Sequence, residues 1–333
     1  MSDLLRGIGY DAGVLYEKDF ESNPGFSAEA ARRDFRAIRE ELGCEAVLIM
    51  AGDDGRLATA AECAAEAGLA VWLQPRPFDQ PAAVLRESVR TAAAIAERLR
   101  TAGASAGLVV GCELTLSTPG MLPGSTFWRR GSLLTLTFPL LPLANLRLRR
   151  LLKGLAREAR ERFAGPISYG AGEWEHPDWS DFDVVGLDRY PEDHNAWRFE
   201  DELRATVERA HADGKPVHVF EFGSCTYRGA AAKASTASGV LGGRDELTVP
   251  RTLVRDEPEQ AEYLLTALDL FERVGVDGAF VWGFSEPALV RSDEPGRDLD
   301  LASYGIVSAH EDGTWTPKQA YHALARRYGG RAA

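Results

Sequence analysis

Short apolar runs alternate along the chain with longer segments in which apolar residues recur every three or four positions, and the alternation repeats about eight times. The runs predict strands at residues 5–11, 44–51, 69–76, 106–113, 166–173, 183–190, 216–222 and 278–284. Between them, Ala31, Phe35, Ile38 and Leu42 share one helical face behind Ser27, a candidate N-cap, and Gly43 ends the segment. Leu85, Val89, Ala92, Ala96 and Leu99 do the same before Gly103. Leu203, Val207 and Ala210 precede Gly214, and Ala261, Leu264, Leu268 and Phe271 precede Gly275. Thr316-Pro317-Lys318-Gln319 has the form of a capping box with proline at the first helical position, which predicts a last helix running to about Tyr328.

Strand and helix in strict alternation specify a parallel sheet with crossover helices, so the fold class is α/β. The expected architecture is a single (β/α)₈ TIM barrel, one domain over residues 1–333. An open doubly wound sheet is the alternative, but no strand is followed by a glycine-rich phosphate-binding loop. Helices that end at glycine re-enter a strand within a few residues. The long connections instead follow strands four, seven and eight, at 117–146, 226–255 and 286–304, on the face where barrel enzymes keep their chemistry.

Composition narrows the partners. A 45% hydrophobic share supports a large core, and a net charge of −12 argues against nucleic acid and disfavours adhesion to anionic lipid. The start, Met1-Ser2-Asp3-Leu4-Leu5-Arg6, has no basic segment followed by an apolar run, so the expected compartment is the cytoplasm. Cys44, Cys63, Cys112 and Cys225 lack metal spacing and read as reduced, buried thiols. The six histidines form no H-x-x-x-H pair, so no metal and no cofactor are expected, and no G-x-S-x-G elbow occurs. The leucine-rich stretch within 131–147 is too short and proline-broken to span a membrane. It reads as a lid packed on the barrel or on a second subunit, or as a wall around a hydrophobic aglycone or lipid-like substrate. The Ala, Ser and Gly-rich stretch 229–243 reads as a mobile second lid or a disordered segment.

The fourth strand runs Leu108-Val109-Val110-Gly111-Cys112-Glu113, and the seventh runs Pro216-Val217-His218-Val219-Phe220-Glu221. Each closes an apolar run with a glutamate, and burying a carboxylate costs several kcal/mol unless something compensates, on the order of the usual desolvation penalty. Strands four and seven lie on opposite sides of an eight-stranded barrel. Glutamates at their tips are therefore placed to act on one bond from two directions, provided that neither is merely a structural ion pair.

These stretches resemble the clan A glycoside hydrolases, and among them family 113, which includes β-mannanases. Val110-Gly111-Cys112-Glu113-Leu114 is similar to that family's acid/base strand and Ile167-Ser168-Tyr169-Gly170-Ala171 to its fifth. Asp183-Val184-Val185-Gly186-Leu187-Asp188-Arg189-Tyr190-Pro191 is similar to its sixth strand, and Lys215-Pro216-Val217-His218-Val219-Phe220-Glu221-Phe222-Gly223 to its nucleophile strand. Phe280-Val281-Trp282-Gly283 and Pro317-Lys318-Gln319-Ala320-Tyr321 continue the likeness. The resemblance implies that Glu113 is the proton donor and Glu221 the nucleophile, that Tyr190 hydrogen-bonds the nucleophile, and that Trp282 floors the sugar site. Cys112 departs from it, standing where that family has threonine and many clan A enzymes have asparagine.

Arg76 at the end of strand three is a candidate for a charge or sugar-hydroxyl contact, or for a salt bridge within the mouth. Tyr10, Asp11, Glu173, Trp174 and Asp188 end other strands and are candidate hydroxyl binders or stacking surfaces. The expected function is a retaining glycoside hydrolase acting on a small-molecule or oligosaccharide substrate. Two alternatives use the same barrel: a biosynthetic cyclase or transferase acting through the same carboxylates, and an inactive carbohydrate-binding barrel.

Overall fold

Each apolar run is buried along its length and becomes a parallel strand: β1 Leu5–Asp11, β2 Ala46–Ala51, β3 Ala70–Pro75, β4 Ala106–Cys112, β5 Ile167–Gly170, β6 Val185–Asp188, β7 Val217–Phe222 and β8 Gly278–Val281. The computed structural model describes residues 4–17, 20–243 and 246–330. Met1-Ser2-Asp3, part of the start used to assign a compartment, lies outside the described residues. The strands pair in the order β5-β4-β3-β2-β1-β8-β7-β6. The two ends meet through Ala171, whose N–H donates to Gly186 (3.1 Å) and whose carbonyl accepts from the Asp188 N–H (2.9 Å). The architecture is a (β/α)₈ barrel.

The covering helices are α1 Ala28–Arg36, which continues in wider turns through Ala37–Leu42, then α2 Asp54–Glu66, α3 Ala82–Thr101, α4 Leu141–Arg160, α5 Ala196–Ala212, α6 Glu257–Val274 and α7 Gln319–Tyr328. Ser27 caps α1 as its position predicts, its hydroxyl accepting from the Ala30 N–H at 3.2 Å. Two expectations change. Pro317 is not the first helical residue: Trp315–Pro317 pairs antiparallel with Val307–Ala309, which holds these residues extended, and the helix starts after Lys318. The crossover from β5 to β6 contains no full helix, only the single turn Trp179–Asp181.

Inside the barrel an aromatic layer replaces the usual aliphatic filling. Trp72 lies 5.3 Å from the rings of both His218 and Phe220, and Phe220 lies 5.2 Å from Phe280. Glycines on neighbouring strands make the room. A Cβ at Gly7 would come within 2.3 Å of the Phe280 ring, and one at Gly107 within 2.5 Å of Trp72. His218 belongs to this floor rather than to the mouth, and burial lowers its pKa to about 4.

The leucine-rich stretch is helical rather than a loop. Phe127–Ser132, Leu134–Thr137 and the turn Phe138–Leu140 lead directly into α4. Arg130, fully buried, pins this region by donating to the carbonyls of Leu116 and Gly124 and pairing with Asp79. The stretch read as a mobile lid is a packed run of tight turns, Ala231–Val240, held by the Tyr227 hydroxyl on Ala237 O (2.9 Å) and the Tyr304 hydroxyl on Ala234 O (2.6 Å). Among the described residues no helix is long and apolar enough to cross a membrane.

Candidate active site

Strict alternation would turn Glu113 inward, in phase with Val109, but not Glu221; an irregularity in β7 does that. Along β7, Leu187 of β6 faces Val219 but the next residue, Asp188, faces Glu221, so β7 carries one extra residue. Phe220 packs in the barrel interior, Glu221 also turns to the mouth, and Phe222 points out against Phe271 at 5.0 Å. On β4 the pairing with β5 slips between Val109 and Cys112. Glu113 follows in the left-handed region (φ 45°, ψ 48°), a conformation that costs a non-glycine residue on the order of 1 kcal/mol or more.

The turn bearing Glu113 is held from behind. Glu175 accepts from the Thr115 N–H (2.9 Å), the Thr115 hydroxyl (2.7 Å) and the Tyr169 hydroxyl (2.6 Å), while that hydroxyl accepts from the Leu114 N–H at 2.7 Å. The strained backbone is thus fixed on the residues immediately after Glu113. The Glu113 carboxyl makes no hydrogen bond among the described residues. Burial raises its pKa well above the usual carboxylate value, and the nearby charges of Asp188, Glu221 and Glu175 raise it further, against the opposing effect of Arg76.

Glu221 has the opposite surroundings. Arg76 Nη2 donates to Oε2 at 2.8 Å, and the Tyr190 hydroxyl donates to Oε1 at 2.8 Å. The side chain is 15% exposed, so these donors do not seal it. Arg76 is spent within the mouth: it also donates to Gln74 Oε1 (2.6 Å), touches Cys112 Sγ (3.3 Å) and lies over the Trp282 ring at 5.0 Å. Trp282 is buried beside Gly9, where a Cβ would come within 3.1 Å of the ring, and its peptide to Gly283 is cis.

Asp188 lies between the two glutamates in this charge network. Its Oδ2 accepts from the Cys112 thiol at 3.3 Å, its buried Oδ1 has no partner, and burial followed by the Glu221 charge raises its pKa to about 7. Cys112 is therefore a buried wall thiol, as are the other three cysteines elsewhere. Asp11 is buried, with Oδ1 accepting from the Gly13 N–H at 2.8 Å, and its charge acts on Arg76.

Three predicted residues do not join this group. Tyr10 faces away from the barrel, its hydroxyl on Asp34 (3.1 Å) and its ring 4.4 Å from Phe35, because strand alternation turns it towards α1. Trp174 uses its ring N–H on the Thr115 hydroxyl (2.8 Å) and packs against the short helix beyond Glu113. Glu173 is exposed at the rim, bonded to Asn195 and near Arg198. Sequence reasoning missed Glu175, Tyr169, Glu286 and Tyr16. Glu286 is half-buried after β8, and desolvation raises its pKa to about 7. Tyr16 lies in the short hairpin after β1, close enough for its hydroxyl to feel the charges of Arg76, Asp11 and Glu221. It packs with Phe78, Phe127 and Trp128 at ring distances of 4.8, 6.5 and 6.0 Å, making one aromatic wall. Nothing in the sequence marks these residues, since each acts through neighbours remote along the chain.

In sequence comparison no family model and no curated protein matches the chain. Solved structures do. A GH113 β-1,4-mannanase superposes with a TM-score of 0.61 at 17% identity, covering 99% of this chain and all of the other. The GH113 β-mannanase AaManA from Alicyclobacillus acidocaldarius, in complex with ManMIm, gives 0.59 at 18% identity over 90% of this chain and 91% of its own. The β-glucuronidase of Ruminococcus gnavus gives 0.56 at 15% identity, with 98% of this chain matching 49% of the enzyme. The barrel is similar in fold to those of these glycoside hydrolases. At these identities the likeness is one of fold.

Proposed function

We propose that the chain is a retaining glycoside hydrolase in which Glu113 is acid and then base, and Glu221 is the nucleophile. The observation that carries this reading is the contrast between the two carboxyls: one, half-buried and without a hydrogen-bond donor among the described residues, is biased towards the protonated form, and the other accepts one donor on each oxygen. Glu221 attacks the anomeric carbon as Glu113 gives its proton to the leaving oxygen. Glu113, now ionised, then takes a proton from the water that releases the sugar. Arg76 and Tyr190 keep the attacking carboxylate aimed, and Trp282 lines the site beneath Arg76. The enzymes of similar fold are named for β-linked sugars, so β-glycosides are the first substrates to try. The wall of Tyr16, Phe78, Phe127 and Trp128 favours a flat, apolar leaving group.

The roles separate by leaving group. Against a panel of aryl β-glycosides, Glu221→Gln is expected to lose at least about a thousandfold in kcat/KM on every active substrate. Glu113→Gln is expected to lose about 10²–10⁴-fold on poor leaving groups but far less on activated phenols, which leave without a proton. Proton NMR of the first-formed sugar reads the stereochemistry. Unchanged turnover in Glu221→Gln refutes the nucleophile assignment, and an inverted product refutes double displacement.

A further inference from the structure

The outer face of α4 and the turns before it form a surface that the chemistry of the mouth does not use. Leu136 is 77% exposed and Phe138 57%, and Leu140, Leu143 and Leu146 are exposed beside them. The face of α4 that carries Leu143 and Leu146 continues through Arg147, Arg150, Lys153, Arg157 and Arg160, all within one arc of the helix. No Asp or Glu occurs between Glu113 and Glu158, although acids make up 50 of the chain's 333 residues. The molecule is acidic overall, but its charge is segregated.

The basic half of this face borders a cavity of about 630 Å³ lined by Arg86, Arg150, Lys153, Arg157, Arg160 and Asp181. Asp181 comes from the single turn that stands where a fifth crossover helix would pack, so α4 keeps its outer flank uncovered there. Arg86 and Arg160 are paired, with Glu158 and Asp183. Among the described residues Arg150, Lys153 and Arg157 form no ion pair, which leaves three like charges crowded along one helix face. Cations without a direct ion pair, beside a run of exposed leucine and phenylalanine, match the two halves of a lipid interface, with anionic headgroups over the cavity and acyl chains under the apolar rim.

We infer that this face docks the protein on an anionic phospholipid bilayer, with Leu136, Phe138, Leu140, Leu143 and Leu146 entering the interface and the α4 cations holding headgroup phosphates. The net charge of −12 does not oppose this, because repulsion from acids on distant faces is screened beyond roughly 8–10 Å at ordinary salt. A soluble acidic partner would find use for the cations but none for the apolar rim.

Co-sedimentation with vesicles tests the inference independently of any glycosidase activity. Wild-type protein is expected to bind phosphatidylcholine vesicles containing about one-third phosphatidylglycerol at about 0.1 M salt, to release as salt rises, and to ignore pure phosphatidylcholine. The triple reversal Arg150→Glu, Lys153→Glu and Arg157→Glu should weaken binding by at least about a hundredfold. The double change Leu136→Ser and Phe138→Ser should weaken it about tenfold or more. Circular dichroism melts of both variants confirm that they fold. Wild-type indifference to anionic vesicles overturns the proposal, as does undiminished binding by the folded triple variant. Two further results overturn it when vesicles are ignored: calorimetric binding of inorganic pyrophosphate at the cavity, which makes it a small-anion site, and a dimer that Phe138→Ser disperses, which makes the rim a self-interface.

Discussion

The Arg76 guanidinium faces three acidic side chains, Glu113, Asp188 and Glu221, and among these only Glu221 takes a direct hydrogen bond from it. The other two respond by holding protons. Asp188, raised from 3.8 to about 7, gains its charge as pH passes neutrality, and that charge pushes the Glu113 pKa higher still. Glu113 acts as the acid only while protonated, so the rate falls as pH rises through its pKa, and an ionised Asp188 moves that fall upward. Asp188→Asn removes the repulsion. The alkaline limb of kcat/KM is therefore expected to shift to lower pH in this variant, and a limb that stays put or moves up would contradict the account. Glu175 is expected to act similarly from behind. Its own contacts fix the turn after Glu113, so Glu175→Gln should lower the alkaline limb while also reducing kcat through a looser turn.

At the scale of elements, Glu221 reaches the site because a bulge interrupts the alternation of β7. Glu221 follows Phe220, which already points inward, and only the extra residue in β7 lets both face the interior. The same economy of space governs the floor. Gly107 has no room for a methyl group, since its Cβ would meet Trp72 at 2.5 Å, and the ring is locked against His218 and Phe220. Gly107→Ala is expected to cost about 1–3 kcal/mol in urea unfolding, with little change in leaving-group preference because the glutamates sit above this layer. Strands and most helices were legible because each buries its own periodic face, and the period survives in a single sequence. The bulges were not legible, since one residue more or less in a strand is decided by which neighbour it pairs with. For the same reason the Thr316-Pro317 cap signal misled: pairing with Val307–Ala309 outweighed it.

Across the whole molecule, the long loops are tied to the last two helices by buried charge. Asp300, in the loop after β8, pairs with Lys318 (2.9 Å) just before α7 and with Arg255 (2.7 Å) just before α6, and Lys318 also donates to Thr226 beyond β7. Asp300 and Lys318 are both 1% exposed. Deleting the carboxylate with Asp300→Ala strands Lys318, which has no access to water, while Arg255 keeps Asp298 and Glu257, and is expected to destabilise the fold by roughly 3–5 kcal/mol in chemical denaturation. A change within about 0.5 kcal/mol would show that the site relaxes to admit water.

The amino-acid sequence alone determined the order of the strands and of most helices, the identity of the two carboxyls that end β4 and β7, and the family likeness they carry. Those properties are local or strictly ordered along the chain, so they persist without a fold. The tertiary structure decided which face each side chain took, which charges met, and which predicted residues left the group, as Tyr10, Trp174 and Glu173 do. It also decided that an acidic chain presents a basic and apolar face on α4. Pairing between remote segments sets both side-chain direction and electrostatic company, and no periodicity within one segment encodes its partner's register.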